Sequence, residues 1–441
     1  MIGACIAMTW KEYYESRKVS ADQAAAMVKS GDNISYGHAT GEPQLMAAAI
    51  IKREQELKDV TFIHGLAMGP ALYCGDEIDF TCINHATVFA GTNTRKAVQE
   101  GRASFVPMHF SDCPGAFRQG IIPLNVAIIH VSEPDKFGYC TFGISVDYER
   151  AAVEAATLVI AEVNSKMPRI FGDTLIHVTE IDYFVESNQD LLVMEKPKIG
   201  PVEEAIGKNI AQLVEDGACL QLGMGAIPNA IMEFLGEKND LGIHTELISD
   251  GAMELIKAGV ITGKRKTLHK NKTVATFASG TTKLYEWLHE NPVVEFYPVD
   301  YINNSHVIAQ NEKMFSVNSA LQVDCMGQVC AETINARQFS GIGGQMDFVR
   351  GATWAKDGKS IIAMPATAKN GTISRIVANF KPGDAVSTPR NDVDYVVTEY
   401  GIAHLRGKNI QERARLLIEI ADPKFKDEIK DQFKEIYKLS L

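Results

Sequence analysis

Apolar runs of four to seven residues alternate along the chain with amphipathic stretches of ten to fifteen. Short buried strands separated by crossover helices produce that alternation, so it predicts βαβ units and a mainly parallel sheet. The clearest strands are Val126–Val131, Thr157–Val163, Ser360–Met364 and Tyr395–Val397, and the fold class is α/β. From Asn409 through Tyr437 apolar positions recur at helical spacing with charges between them, which predicts one or two closing helices.

The pattern also repeats itself. In Met27–Pro43 the residues Gly31, Gly37, Gly41 and Pro43 line up with Gly217, Gly223, Gly225 and Pro228 of Leu213–Pro228. Each copy reads as a helix end, a glycine turn, a short strand, a glycine-rich loop and a proline opening a new helix. A second strand is expected at a similar distance in each, Val60–His64 and His244–Ile248. The Pro/Lys-rich Glu195–Pro201 separates the copies and reads as a linker. Two copies are too few for a solenoid. The expectation is two similar open α/β domains, residues 9–194 and 202–441, with an active-site cleft between them.

The 441 residues are 46% hydrophobic and 22% charged, an ordinary globular composition in a chain too long for one core. A net charge of −11 argues against nucleic-acid or anionic-membrane partners. The basic run Lys264, Arg265, Lys266, Lys270 and Lys272 reads as solvated surface. Eight scattered cysteines (Cys5, Cys74, Cys82, Cys113, Cys140, Cys219, Cys325, Cys330) read as reduced core thiols of a cytoplasmic protein. Cys325 and Cys330 lack partners at zinc-ligand spacing, and no metal is expected. The opening Met1–Met8 lacks a basic leader region, no apolar run reaches the ~18 residues of a membrane span, and Met8 is a second candidate start.

Three loops can carry chemistry. Gly223-Met224-Gly225-Ala226-Ile227, with Gln221 just before it, follows a strand and opens a helix, so its N–H groups can face an anion. The string falls short of a dinucleotide fingerprint because Pro228 stands where a third glycine is needed, and it serves equally as a tight turn. Phe339–Phe348 packs Gly341, Gly343 and Gly344 into four residues, either for close backbone approach to a ligand or for a strained turn. In Gly242–Gly251, Glu246 stands between apolar neighbours at a predicted strand end, where open α/β sheets bind ligands. A solvated glutamate or a helix cap fits that position as well.

Together these loops resemble the acetyl-CoA hydrolase/transferase family, and within it the 4-hydroxybutyrate and butyryl-CoA:acetate CoA-transferases. The resemblance runs from Trp10 to about Lys430 and includes Ile160–Asn164, Pro298–Ile302, Leu321–Asp324, Ser387–Asp392 and Val397–Gly401. It implies a pair of CoA-transferase-type α/β domains and places the catalytic glutamate on Glu246. It places CoA-binding and oxyanion-forming loops on Gly223–Ile227 and Gly343–Gln345, and Leu321 and Lys369 along a CoA channel. By the internal repeat, His38 and Glu42 face the same expected cleft and are candidates to contact the acyl group or the acceptor acid; Gln221 is a candidate to bind a substrate carboxylate or to hold Glu246, or is a plain strand-end polar residue.

The implied activity is acyl-CoA:acetate CoA transfer from 4-hydroxybutyryl-CoA or butyryl-CoA, by a ping-pong route through a glutamyl-CoA thioester. Coenzyme A is then a substrate, with no permanently bound cofactor, and a homodimer or homotetramer is expected. The rival reading is an acyl-CoA hydrolase using the same glutamate; a non-catalytic CoA-ester-binding module is more remote.

Overall fold

A computed structural model describes residues 8–441; Cys5 and the stretch Met1–Ala7, which holds one of the two candidate starts, lie outside the described residues. The chain forms two compact units: the first takes the chain up to Val106 with Asp112–Val193 and Tyr285–Pro298, the second Pro107–Ser111, Met194–Leu284 and Val299–Leu441. Each unit thus includes one short segment distant in sequence from the rest of it.

The first unit is built on seven strands: β1 (Asn33–Tyr36), β2 (Val60–His64), β3 (Ile83–Thr87), β4 (Ser104–Phe105), β5 (Val126–Val131), β6 (Leu158–Asn164) and β7 (Tyr183–Ser187). Their order across the sheet is β7-β6-β5-β1-β2-β3-β4, all parallel. Every residue of β5 is buried, as a parallel strand covered on both faces requires. Its neighbour β1 sets the register, with Ile34 opposite both Phe62 and Val126 at the centre of the core.

The second unit carries β8 (Cys219–Leu222), β9 (Gly242–Ile243), β10 (Leu247–Ile248), β11 (Phe277–Ala278), β12 (Met314–Ser319), β13 (Lys359–Ala363), β14 (Tyr395–Thr398) and β15 (Gly401–His404). Six of these form one sheet in the order β9-β8-β12-β13-β14-β15, parallel except for the last pair, while β10 pairs with β11 apart from it. The internal repeat therefore extends well past the glycine loops. Reading β1, β2, β5, β6 and β7 against β8, β9, β12, β13 and β14 gives the same strand order in both units.

In each sheet the order reverses beside the first strand, between β1 and β5 and between β8 and β12. Loops leaving the carboxyl end of such a strand open at a topological switch point, where α/β sheets bind ligands. The loops in question are those after Tyr36 and after Leu222. The first leads, through Pro43, into α1 (Gln44–Ile51); the second leads into α2 (Ala226–Glu233), with Pro228 in the first turn, where a missing N–H costs nothing. The other helices used below are α3 (Gln345–Trp354), α4 (Ile410–Glu419) and α5 (Lys426–Tyr437).

One expected strand is broken. His244–Ile248 is not continuous: β9 stops at Ile243 and pairs with β8, whereas β10 starts at Leu247 and pairs with β11. His244 still donates its N–H to Leu220 (3.1 Å), and Thr245 then donates to Val274 (3.1 Å), so the chain changes sheets between them. The basic run also differs from expectation. Lys264, Arg265 and Lys270 are exposed, but Lys266 is buried and its ammonium donates to the carbonyls of Ile243 (2.7 Å) and Lys272 (2.8 Å), holding the end of β9. The seven described cysteines are all free thiols, and no helix of the described residues is long and apolar enough to cross a membrane.

The closing helices α4 and α5 bury Leu417, Ile429 and Phe433 in the second unit's core. Asn409 caps α4 through a reciprocal pair: its side chain accepts from the Glu412 N–H, and the Glu412 carboxylate accepts from the Asn409 N–H, both at 2.9 Å. Asn409→Ala is expected to lower stability by about 1 kcal/mol. Urea unfolding checks this; an unchanged midpoint would show that the cap contributes nothing.

Candidate functional site

Glu246 stands in the gap between β9 and β10. Its carbonyl accepts from the N–H groups of Thr276 (3.0 Å) and Phe277 (3.1 Å), which fixes the backbone at the crossover. Its neighbours Thr245 and Leu247 are buried while Glu246 itself is only partly so, leaving a carboxylate at the edge of an apolar wall. Asn303, fully buried, donates its amide to Glu246 Oε2 at 2.6 Å.

The segment that carries Asn303 is held by His244. Burial pushes this imidazole down to about 3, so it is neutral at pH 7, and Nε2 donates to the Ile302 carbonyl at 2.8 Å. Two residues from Glu246 in sequence, His244 thus positions the residue before the amide that grips it.

The glycine-rich loop closes the other side. Gly343 has φ +53°, and its carbonyl accepts from the Phe110 N–H at 3.0 Å. Gly344 caps α3, and a Cβ built on it would lie closer than 3.0 Å to both Glu246 Oε2 and Asn303 Nδ2. Only glycine lets the loop backbone come this near to the carboxylate. The amino-terminal end of α3, with its partial positive charge, is therefore directed into a site that holds anionic groups.

Asp347, in the first turn of α3, is the second carboxyl group of the cluster. It is buried, accepts from the Ser111 hydroxyl at 2.9 Å, and its Oδ2 lies 3.5 Å from the same Asn303 amide. Burial foremost, with the nearby Glu246 charge adding to it, raises Asp347 to about 7.

Two models match the chain in succession: the acetyl-CoA hydrolase/transferase N-terminal domain over residues 4–194 and the C-terminal domain over residues 280–433. The 4-hydroxybutyrate coenzyme A transferase of Clostridium kluyveri is 51% identical over 428 residues, which cover 97% of this chain and 100% of that one. The chain belongs to the acetyl-CoA hydrolase/transferase family. The butyryl-CoA:acetate CoA-transferase of Anaerostipes caccae is 36% identical, covering 96% of this chain and 97% of its own. The crystal structure of RipA from Yersinia pestis superposes with a TM-score of 0.91 at 35% identity, over 98% of this chain and 100% of that one.

Other residues of this family member that the sequence singled out are more scattered. Gly223 and Gly225 face open space, with no atom within 4 Å of a Cβ built on either, and Gly225 has φ +118°, a backbone that side-chain-bearing residues rarely adopt. Met224 and Ala226 are partly exposed and Ile227 is buried. Thr245 joins this loop to the cluster through a 3.3 Å hydrogen bond from its hydroxyl to the Leu222 carbonyl. Gln221 is turned away: its amide accepts from the Val317 N–H (3.1 Å) and the Asn318 amide (3.4 Å) and so clasps β12. Leu321 is partly buried on a backbone bond to Cys330, and Lys369 is an exposed turn residue at φ +47°.

His38 and Glu42 belong to a buried polar network within the first unit. His38 Nδ1 lies 3.2 Å from Asp147 Oδ2, which also accepts from Ser145 at 2.7 Å. Glu42 accepts from the N–H groups of Met68 (2.6 Å) and Gly69 (3.1 Å), and burial raises it to about 7 despite them. Sequence reasoning assigned no role to Asn303, Asp347 or Ser111. Asp347 lay inside the glycine-rich string and Asn303 directly after Pro298–Ile302, whereas Ser111 had no local signal.

Proposed function

We propose that this chain is an acyl-CoA:acetate CoA-transferase that takes 4-hydroxybutyryl-CoA or butyryl-CoA as donor and uses Glu246 as its nucleophile. The observation that carries the reading is the half-buried Glu246 carboxylate, pinned through its own backbone, gripped by Asn303 and approached by a glycine-only helix start. The names of the Clostridium and Anaerostipes relatives support the substrates.

Exchange of CoA between two carboxylates needs no external energy source, provided the acyl group is not lost to water. Glu246 attacks the thioester carbonyl and gives a mixed anhydride and CoA thiolate; the thiolate returns to the glutamyl carbonyl, forming a glutamyl-CoA thioester and releasing the first acid. Acetate enters and the steps run in reverse. Each tetrahedral oxyanion needs donors, and the N–H groups of Gly343 and Gly344 are assigned that role. A carboxylate is a weak nucleophile, so binding of the distant CoA moiety and orientation must supply much of the rate. Gly223–Ile227, Leu321 and Lys369 are assigned to CoA, and His38 and Glu42 to the acyl group or acceptor acid, whereas Gln221, paired with β12, is left a structural role. We place the enzyme in the cytoplasm as a homodimer or homotetramer.

Incubation with butyryl-CoA without acceptor, then borohydride, is expected to reduce the Glu246 thioester to an alcohol, located by peptide mass spectrometry. A parallel assay is expected to form acetyl-CoA only when acetate is present. An unmodified Glu246 would end the nucleophile assignment; a modified Glu246 with turnover indifferent to acetate would make the protein a hydrolase.

A further inference from the structure

Glu246 and Asp347 are two carboxyl groups served by one amide. Asn303 Nδ2 lies 2.6 Å from Glu246 Oε2 and 3.5 Å from Asp347 Oδ2, and Asn303 and Asp347 are both buried. Two like charges this close and this poorly hydrated do not both ionise freely. In the transfer cycle one of them changes charge: Glu246 begins as a carboxylate and becomes a neutral acyl group.

We infer that Asp347 holds a proton while Glu246 is a free carboxylate and releases it when Glu246 is acylated, so that the chemical step is coupled to proton release at a second residue. This rests on the reading of Glu246 as the nucleophile. The balance is complete. Glu246 carboxylate and acyl-CoA become glutamyl-CoA and a free carboxylate, which stays ionised at pH 7; separately, the Asp347 carboxyl becomes carboxylate plus a proton. The negative charge that leaves Glu246 with the departing acid is replaced by one on Asp347, so the site keeps the field that holds Asn303 and the start of α3 in place.

The surroundings suit both states. The Ser111 hydroxyl, 2.9 Å from Asp347 Oδ1, can donate to a carboxylate or accept from a carboxyl group. Glu246 is the charged group that raises Asp347 through space. On the elements packed against α3, β12 has no titratable side chain, Lys359 of β13 is bound to Glu215, and His306 lies against Trp354 at the far end of the helix. Arg350, one turn further along α3, pairs with Asp392. Other titratable groups about this helix are His244, whose ring lies against Phe348, Arg406, which donates to the Thr353 carbonyl, His109, two residues before Ser111, and Asp300 and Tyr301 before Asn303, with Tyr301 bonded to His269.

The test mixes weakly buffered enzyme with butyryl-CoA in the absence of acceptor and follows an indicator dye, while borohydride-quenched samples count the Glu246 adduct. The expected result is a proton burst in step with the adduct. At pH 7 it should be no more than about half a proton per site, because a group raised to about 7 is half protonated there, and it should shrink toward pH 5 and pH 9. Asp347→Asn is expected to form the adduct without the burst. Ser111→Ala, which removes a donor to the ionised form, is expected to move the burst maximum to higher pH and serves if Asp347→Asn does not fold. An adduct with no proton release at pH 6, 7 and 8, or an undiminished burst in Asp347→Asn, overturns the inference. Absence of any Glu246 adduct instead removes the nucleophile reading, and this inference with it.

Discussion

Gly344→Ala is expected to leave the protein folded and to cut CoA transfer by at least about 100-fold. The backbone at Gly344, with φ −92°, accepts alanine without strain. The added methyl instead meets the ends of two side chains, Glu246 Oε2 and Asn303 Nδ2, each closer than 3.0 Å. Side-chain ends can swing aside, so the fold survives, but the swing moves the nucleophile and the amide that orients it. A displacement of about 1 Å in a reacting group is enough for a loss of that size. Gly236→Ala is the control, because its Cβ would meet nothing within 4 Å. Steady-state kinetics with butyryl-CoA and acetate, beside thermal unfolding of both variants, checks this; a Gly344→Ala kcat within tenfold of the wild type would mean that Glu246 does not work from the position seen here.

How far the sequence leads to this arrangement depends on how local each signal is. Val126–Val131 was legible as a strand to the residue because all six of its positions are buried and all but His130 are apolar. The repeated glycine loops were legible because closely spaced glycines follow a short strand and precede a proline in both copies, and the matching strand orders of the two units bear out their kinship. The break at His244–Glu246 was not legible. Apolar Ile243 and Leu247-Ile248 flank the polar His244, Thr245 and Glu246, and three polar residues between two short apolar segments do not say that the chain changes sheets among them. Asn303 and Ser111 were missed because their partners are 57 and 236 residues away in sequence and the contacts exist only once the second unit is assembled. Lys266 lay in a run of charge in which Lys264, Arg265 and Lys270 are exposed, and its burial follows from carbonyls at the end of β9 that composition does not display. Glu246 itself was singled out by resemblance to a family; the residues around it allowed a solvated glutamate equally well.

Asn303→Asp is expected to lower kcat by about 100-fold or more and to move the acid limb of the kcat profile to higher pH. Asn303 donates to Glu246 at 2.6 Å, and losing a hydrogen bond to a charged group costs about 1.5–3 kcal/mol, which by itself predicts a decrease of about 10- to 100-fold for Asn303→Ala. The aspartate does more. It brings a third carboxyl group against Glu246 and Asp347 in a buried pocket, and like charges raise one another's pKa. Glu246 must be ionised to attack, and activity carried by an ionised carboxylate is lost as pH falls through its pKa. Raising that pKa therefore shifts the acid limb upward in pH, whereas Asn303→Ala, which adds no charge, lowers the plateau with a smaller shift. Profiles of kcat from pH 5 to 9 for the two variants separate these effects. Equal acid limbs in wild type and Asn303→Asp would show that the amide grips Glu246 without controlling its charge, and would leave Asn303 a purely geometric role.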